Sequence, residues 1–132
     1  MRVVVSDSRL FVRRTKPTFS DERGTITSIL DKGTFRRIVL VYTKKGAVRG
    51  NHYHRNAGHY VYVLRGKLKL FAKLEGKSKS LTLRAGSLVW IPHLVPHAFV
   101  ALEDSEALEF GPRSYSREDA QKVEEPLAKL TR

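Results

Sequence analysis

The chain has 132 residues, with 25 lysines and arginines against 13 aspartates and glutamates, and a formal net charge of +12. Hydrophobic residues make up 41%, which is too many for a disordered chain and enough for one core. Cysteine is absent, which excludes disulfides, zinc fingers and iron–sulfur clusters. We therefore expect a single domain, 1–132, in which any metal is held by nitrogen and oxygen.

The first ten residues carry charges where a signal peptide has its apolar segment, and no apolar run reaches the ~20 residues of a membrane helix. A cytoplasmic protein without a membrane span is expected. The positive charge favours anionic partners in general. However, the basic residues are spread along the chain without a dense run or a nucleic-acid motif, which favours a solvated surface over a nucleic-acid-binding face.

Turn signals recur at short, even intervals, which is typical of an all-β sandwich or barrel. Turns are predicted at 21–24 and 43–46. The sequence predicts short strands between the turns. They lie at 3–5, 10–12, 25–29, 35–42, 99–102 and 107–110.

The clearest strands lie within 58–92, where two alternating runs meet at Arg65-Gly66 and another turn lies at 84–86. In the second run, apolar side chains share one face and lysines share the other, as expected of a half-buried strand. The apolar face consists of Leu68, Leu70, Ala72 and Leu74, and the opposite face carries Lys67, Lys69 and Lys73.

Gly111-Pro112 ends the predicted barrel, at about 1–112, and a tail of about 113–132 follows. Ser116 and Asp119 have the spacing of a capping box, which predicts a short helix over about 117–124. We expect this tail to pack on the barrel or on a partner.

Four of the five histidines occupy positions from which strand alternation directs them toward one point. His52 and His54 lie two residues apart on an extended segment, and His59 and His97 each begin another strand. The cluster predicts one divalent transition metal, which could be zinc, iron, nickel, manganese, cobalt or copper. Four ligands leave octahedral positions open, as a catalytic metal requires. His93, in a loop, is not expected to be a ligand.

This spacing resembles the first motif of the cupin superfamily. The matching positions are Gly46, His52, His54, His59 and Gly66. The superfamily has glutamate where this chain has His59, so His59 could be a ligand or could instead support a ligand. The departure also removes a negative charge from the site.

The second cupin motif is matched at Gly86, Pro92 and His97, with Leu94 replacing a glycine. The two motifs together cover 46–97. The resemblance implies a cupin barrel of the double-stranded β-helix, or jelly-roll, type, with the four histidines around the metal.

The segments DERGTITSIL, at 21–30, and RGNHYHR, at 49–55, are similar to cupins that act on nucleotide-linked keto-deoxysugars. These are dTDP-4-dehydrorhamnose 3,5-epimerases, dTDP-sugar 3,4-ketoisomerases and, nearest, the C-terminal cupin domain of capsular polysaccharide epimerase/reductases. The resemblance implies an isomerase with an anionic nucleotide-sugar substrate, in which His52 is a general base or metal ligand and Arg49 contacts the substrate. Alternatively, Arg49 is a surface charge beside a turn at Gly50.

Isomerisation beside a carbonyl needs an acid/base group within ~3 Å of the transferred proton, and the sequence does not identify that group. Alternation turns Tyr53, Tyr60 and Tyr62 away from the histidine face, whereas Tyr42 and Tyr115 stay open. A metal-dependent dioxygenase of the all-histidine type and a non-catalytic cupin that binds a small ligand are the alternatives. We also expect a homodimer, formed through exposed edge strands or the N-terminal segment.

Overall fold

The computed structural model describes residues 9–113 and 119–128. The predicted strand at 3–5 lies outside these ranges. The strands of the described residues are β1 Phe11–Arg14, β2 Phe19–Asp21, β3 Gly24–Ile26, β4 Arg37–Thr43, β5 Val48–His54, β6 His59–Arg65, β7 Lys67–Leu74, β8 Lys77–Arg84, β9 Ser87–Ile91, β10 His97–Ala101, β11 Ser105–Gly111 and β12 Ala120–Lys122.

Ten of these strands form two antiparallel five-stranded sheets. Their orders are β1-β9-β6-β11-β4 in the first sheet and β12-β5-β10-β7-β8 in the second, and β2 and β3 form a separate hairpin. The two sheets enclose a common core, so the predicted all-β barrel of jelly-roll type is confirmed. Among the described residues, no helix has the length and apolar composition to cross a membrane.

The core lies between the sheets and is made by the inward-facing side chains of the long central strands. Val61 and Val63 of β6 meet Leu68 and Leu70 of β7 there, and all four are buried. Burying a side chain of this size contributes roughly 1.5–3 kcal/mol. The alternation predicted for β7 is confirmed, because Leu68, Leu70 and Ala72 are buried while Lys73 is exposed.

A second apolar cluster covers the outer face of the first sheet. Tyr60, Tyr62 and Trp90 lie there, and Phe11 and Phe35 pack against them. Tyr60 and Tyr62 therefore point away from the barrel interior, as strand alternation predicts. Their role in this position is packing.

Several strand boundaries differ from prediction by a few residues. The strand predicted at 25–29 ends at Ile26, and the strand predicted at 35–42 runs from Arg37 to Thr43. Phe35 instead packs onto the outer aromatic cluster. Local preference identified these strands, but cross-strand pairing sets where each one begins and ends.

The predicted tail helix over 117–124 is wrong where the structure describes it, because Ala120–Lys122 is strand β12, paired with β5. The Asp119 carboxylate, which the capping-box pattern assigns to a helix start, accepts a hydrogen bond from the Asn56 backbone N–H at 2.7 Å. The open edge of β5 offers backbone partners to the tail, and these outweigh the weak helix preference of so short a segment.

Candidate metal centre and barrel cavity

Four histidine rings meet inside the barrel at the positions that the sequence predicted. His52 and His54 are on β5, while His59 and His97 are the first residues of β6 and β10. Ring centroids are 4.8 Å apart for His52 and His54, 4.9 Å for His52 and His97, and 4.9 Å for His54 and His59. Three strands from both sheets therefore deliver their imidazoles to one place.

Three of these histidines form a compact group. One ring nitrogen from each of His52, His54 and His97 lies within 4.8 Å of the others. Metal–nitrogen bonds are about 2.0–2.1 Å long, so ring shifts of under about 1 Å would let one ion contact all three. The geometry is compatible with a three-nitrogen metal site.

A bulge in β5 turns His52 into the barrel. Gly50 has φ +92° and Asn51 has φ +58°, and the pairing of β5 with β10 shifts register beside His97. In a regular strand, Arg49 and His52 would face opposite sides because they are three residues apart. The extra residue of the bulge places both against the same cavity.

Glycine is required at the first bulge position. A Cβ on Gly50 would lie 2.9 Å from the carbonyl oxygen of His97, and its positive φ disfavours other residues. Asparagine tolerates the left-handed region better than most residues, which suits Asn51. Two adjacent residues therefore set the approach of β5 to β10 at the site.

Hydrogen bonds orient two of the rings from behind. The Nδ1 of His54 lies 3.0 Å from Oδ2 of Asp119, and the Nδ1 of His97 lies 2.9 Å from the carbonyl oxygen of Val95. An Nδ1–H that donates to these oxygens leaves Nε2 with a free lone pair. Metal-binding histidines in proteins are held in the same way.

The loop before His97 is held against β5 by a backbone hydrogen bond from the Leu94 N–H to the carbonyl oxygen of His54, at 2.6 Å. Leu94 has φ +67°. This left-handed conformation explains why the resembling motif has glycine at the position. Leu94 adopts it at a cost in backbone strain.

The three grouped histidines are neutral at neutral pH. Burial, with repulsion from His54 and His59 as a smaller cause, lowers the pKa of His52 to about 4. Burial is also the main cause that lowers the pKa of His54 and places the pKa of His97 well below its usual range. Their lone pairs are therefore available without loss of a proton.

His59 occupies a different position from the other three. Its Nε2 lies 3.3 Å from Oε1 of Glu109, yet this buried nitrogen makes no hydrogen bond of good geometry. A buried polar nitrogen without a partner costs free energy. An ion at the centre of the cluster could remove that cost, so the residues present fit a metal.

Glu109 is the site residue that the sequence analysis missed. It follows the alternation of β11, in which Leu108 and Phe110 pack on the outer cluster while Glu109 faces the cavity. Burial raises its pKa, but the contact with His59 and the attraction to the imidazoles in their protonated form together outweigh this, and the pKa is lowered overall. Glu109 is therefore an ionised carboxylate inside the barrel.

Two cavities lie beside the histidines. The inner one, of about 270 Å³, has apolar walls that include Val61 and Phe99. The outer one, of about 250 Å³, has Arg37 and Arg113 on its lining. Both are lined by His52 and Glu109, which therefore stand where a ligand in either cavity would meet the site.

Arg49, predicted to bind substrate, lines the inner cavity and is exposed. Its Nε donates to Thr43 Oγ1 and its Nη2 donates to the carbonyl oxygen of Tyr42, each at 2.8 Å. These bonds fix the guanidinium and leave other N–H groups for a ligand. Tyr42 itself is on the outer face of β4, and Tyr115 lies outside the described residues.

Comparison with known proteins gives a family match over most of the chain. The family model described as "Cupin" matches residues 14–125. None of the curated protein sequences matches the chain.

Solved structures resemble the chain in fold at low sequence identity. The dTDP-4-dehydrorhamnose 3,5-epimerase of Sulfolobus tokodaii is 22% identical, with 86% of this chain and 76% of that one covered and a TM-score of 0.71. The 3,4-ketoisomerase QdtA of Thermoanaerobacterium thermosaccharolyticum, in complex with TDP, is 20% identical, with coverage of 87% and 88% and a TM-score of 0.76. A 3,4-ketoisomerase of Helicobacter canadensis is 16% identical, with coverage of 86% and 90% and a TM-score of 0.77.

Proposed function

The chain belongs to the cupin family, and we propose that it is a metal-binding isomerase, an epimerase or ketoisomerase that acts on a nucleotide-linked keto-sugar. The observation that carries the proposal is the wall common to the two cavities, where the histidine cluster lies beside the ionised carboxylate of Glu109. Proton transfer beside a carbonyl needs a base at such a place. The structural likeness to epimerases and ketoisomerases supports the same reaction class.

His52, His54 and His97 would hold one divalent metal, with His59 as a fourth ligand or as a neighbour that orients Glu109. Such an ion, when bound, polarises a carbonyl oxygen and makes the adjacent C–H more acidic. The identity of the metal stays open among zinc, iron, nickel, manganese, cobalt and copper, because imidazole suits several of them.

Glu109 is the residue that we assign to proton transfer. Its carboxylate oxygen takes a proton from the carbon next to the carbonyl and becomes a carboxylic acid. Returning that proton to the former carbonyl carbon, while the hydroxyl proton moves from one sugar oxygen to the other, gives ketoisomerisation. Epimerisation instead needs a second acid that protonates the same carbon from the opposite face, and Glu109 then keeps the proton that it removed until solvent takes it. The resemblance also offers His52 as the base, but its nitrogen is needed for the metal in this arrangement.

Arginines at the cavities supply the positive charge that a sugar nucleotide needs. Arg49 lines the inner cavity, and Arg37 and Arg113 line the outer one. Guanidinium groups bind diphosphates through paired hydrogen bonds. The net charge of +12 adds a general attraction for such an anion.

The test is proton exchange in deuterium oxide. Metal-loaded protein is incubated with dTDP- or UDP-linked 4-keto-deoxysugars, and deuterium at C3 or C5 is followed by NMR. Incorporation that is lost in Glu109→Gln, with metal content unchanged, is the expected result. If none of these sugars exchanges, the proposed reaction is rejected.

The all-nitrogen donor set favours a second candidate, a metal-dependent dioxygenase. Oxygen consumption by the iron-loaded protein in the presence of a small organic substrate distinguishes it from an isomerase, which consumes no oxygen. A protein with neither activity, but with a ligand bound in the cavities, would be the non-catalytic cupin.

We further propose that the protein is a homodimer formed along β4. This strand is an edge of the first sheet, and its outer face exposes 66% of Ile38, 57% of Leu40 and 43% of Tyr42. Exposed apolar side chains on an unpaired edge are typical of an interface. Analytical ultracentrifugation should show a dimer that Leu40→Glu dissociates and that Leu81→Glu, on the edge of the other sheet, leaves intact.

A further inference from the structure

The β7–β8 hairpin concentrates positive charge that the sequence spreads over 18 residues. From Lys67 to Arg84 the chain has one acid, Glu75, so the hairpin carries a net charge of +5. Its six cations are Lys67, Lys69, Lys73, Lys77, Lys79 and Arg84. Almost half of the net charge of the chain therefore lies on one two-stranded element.

Strand pairing gathers four of these cations on the outer face of the hairpin. Lys67, Lys69 and Lys73 share one face of β7, and the register puts Arg84 directly opposite Lys67. The other β8 positions on this face carry hydroxyl side chains, which can also donate hydrogen bonds to an anion. These hydroxyl residues are Ser78, Ser80 and Thr82.

Little within the protein neutralises this face. Among the described residues, the single ion pair on it joins Lys67 Nζ to Glu103 at 3.7 Å, and Lys69 lies over the ring of Phe71 at 5.3 Å. Lys73 and Arg84 are exposed. An anionic partner would therefore gain Coulomb attraction without first breaking strong contacts.

We propose that the outer face of the β7–β8 hairpin binds the phosphate backbone of nucleic acid, independently of the reaction in the barrel. Alternate residues of a strand are about 6.6–6.8 Å apart, so Lys67, Lys69 and Lys73 form a row of cations with Phe71 between the last two. A polyanion with closely repeated charges can meet several of these cations at once. Binding through phosphates requires no base-reading motif, in agreement with the absence of one from the sequence.

A lipid surface fits this face less well. Helices that lie on a membrane surface combine cations with apolar side chains that enter the lipid. Phe71 is the large apolar residue on this face of the hairpin, and it is partly buried beneath Lys69. The face is therefore almost wholly polar, which suits a solvated phosphate backbone.

The surface is separate from the metal centre. β7, which carries three of the four cations, pairs with β10, but its lysines are on the outer face of the sheet, whereas the histidines face the barrel interior. Nucleic acid could therefore bind while the cavity is occupied.

The test is the salt dependence of binding to fluorescein-labelled oligonucleotides, single-stranded and duplex, measured by fluorescence anisotropy. Four phosphate contacts predict that log K falls with log salt at a slope of about −3 to −4. The triple variant Lys69→Gln, Lys73→Gln, Arg84→Gln should bind at least about tenfold more weakly and flatten the slope by about 2 to 3.

The matched control is Lys16→Gln, Lys44→Gln, Lys45→Gln, which removes the same charge from exposed positions elsewhere. Circular dichroism verifies that both variants are folded. The proposal is overturned if the control weakens binding as much as the hairpin variant, since the effect would then be one of total charge. It is equally overturned if the wild type binds no oligonucleotide at low salt, or binds phosphatidylserine vesicles instead.

Discussion

At the scale of single residues, the site depends on polar groups that do not contact the proposed ion. Asp119 holds His54 from behind, and the carbonyl of Val95 holds His97. Each fixes which nitrogen faces the cluster, and loss of such partners typically lowers metal affinity by about 10–100-fold. The orientation of the His54 and His97 rings therefore depends on these hydrogen-bond acceptors.

Replacing Asp119 tests this dependence. Asp119→Ala should weaken binding of a metal such as zinc by about 10–100-fold, because His54 loses the acceptor that orients it. Asp119→Asn keeps an oxygen acceptor and should recover most of the affinity. Competition with a chelating dye measures both variants. Glu124→Gln, an exposed acid in the same tail, is the control, and an equal loss in it would contradict the assignment.

Leu94 offers a test of backbone strain. Its φ of +67° costs an L-residue about 1–2 kcal/mol, and more than half of its side chain is exposed. Leu94→Gly should therefore be more stable than Leu94→Ala by about 1 kcal/mol, measured by urea unfolding. If alanine were as stable as glycine there, the strain would be absent.

At the scale of elements, the bulge in β5 decides which residues reach the cavity. Strand alternation alone would place Arg49 and His52 on opposite faces of β5. The register shift at Gly50 and Asn51 places both on the face toward the cavity. The same Asn51 accepts a hydrogen bond from the Leu127 N–H at 2.7 Å. Asn51 therefore belongs to the bulge that shapes β5 at the site and also holds the tail by a hydrogen bond.

Gly50→Ala should destabilise the fold by about 2–4 kcal/mol and impair metal binding, because the added Cβ would lie 2.9 Å from the His97 carbonyl oxygen. Gly76→Ala is a matched control, since Gly76 has φ +77° but open space where a Cβ would lie. The control carries only the backbone cost, about 1 kcal/mol. Equal losses of unfolding free energy in the two variants would argue against the close contact.

The sequence predicted those features that depend on local periodicity. Alternation identified the strands and the shared face of His52 and His54, and motif spacing brought in His97. The sequence analysis missed Glu109, because a single acidic residue in a strand is normally assigned to the solvent-exposed face until the partner strands are known. It also assigned Asp119 to the capping box of a helix. The tail instead pairs with the edge of β5, and this tertiary contact is not visible in the local sequence.

At the scale of the whole molecule, a cluster of buried neutral histidines couples folding to pH. Unfolded histidines take up protons below about pH 6.5, whereas burial lowers the folded pKa of His52 to about 4. Between these values the unfolded state binds more protons, so stability falls as the pH falls. The lowered pKa values of His54 and His97 act in the same direction.

Metal-free protein should therefore have its full unfolding free energy above about pH 6.5 and lose part of it steadily toward pH 4. Urea denaturation at a series of pH values measures this. His52→Gln should reduce the loss, and His93→Gln, at an exposed position, should leave it unchanged. A stability that stays constant across this range would contradict the neutral, buried state of the cluster.

The attachment of the tail to β5 has a consequence for biosynthesis. Ribosomes make proteins from the N-terminus, so every strand of the two sheets except β12 exists before Asp119 and β12 are added. His54 lacks its Asp119 partner until then, whereas His97 already has the Val95 carbonyl oxygen beside its Nδ1. The hydrogen bonds of the histidine cluster are therefore completed after the walls around it, and firm binding of the proposed metal would wait until the tail is in place.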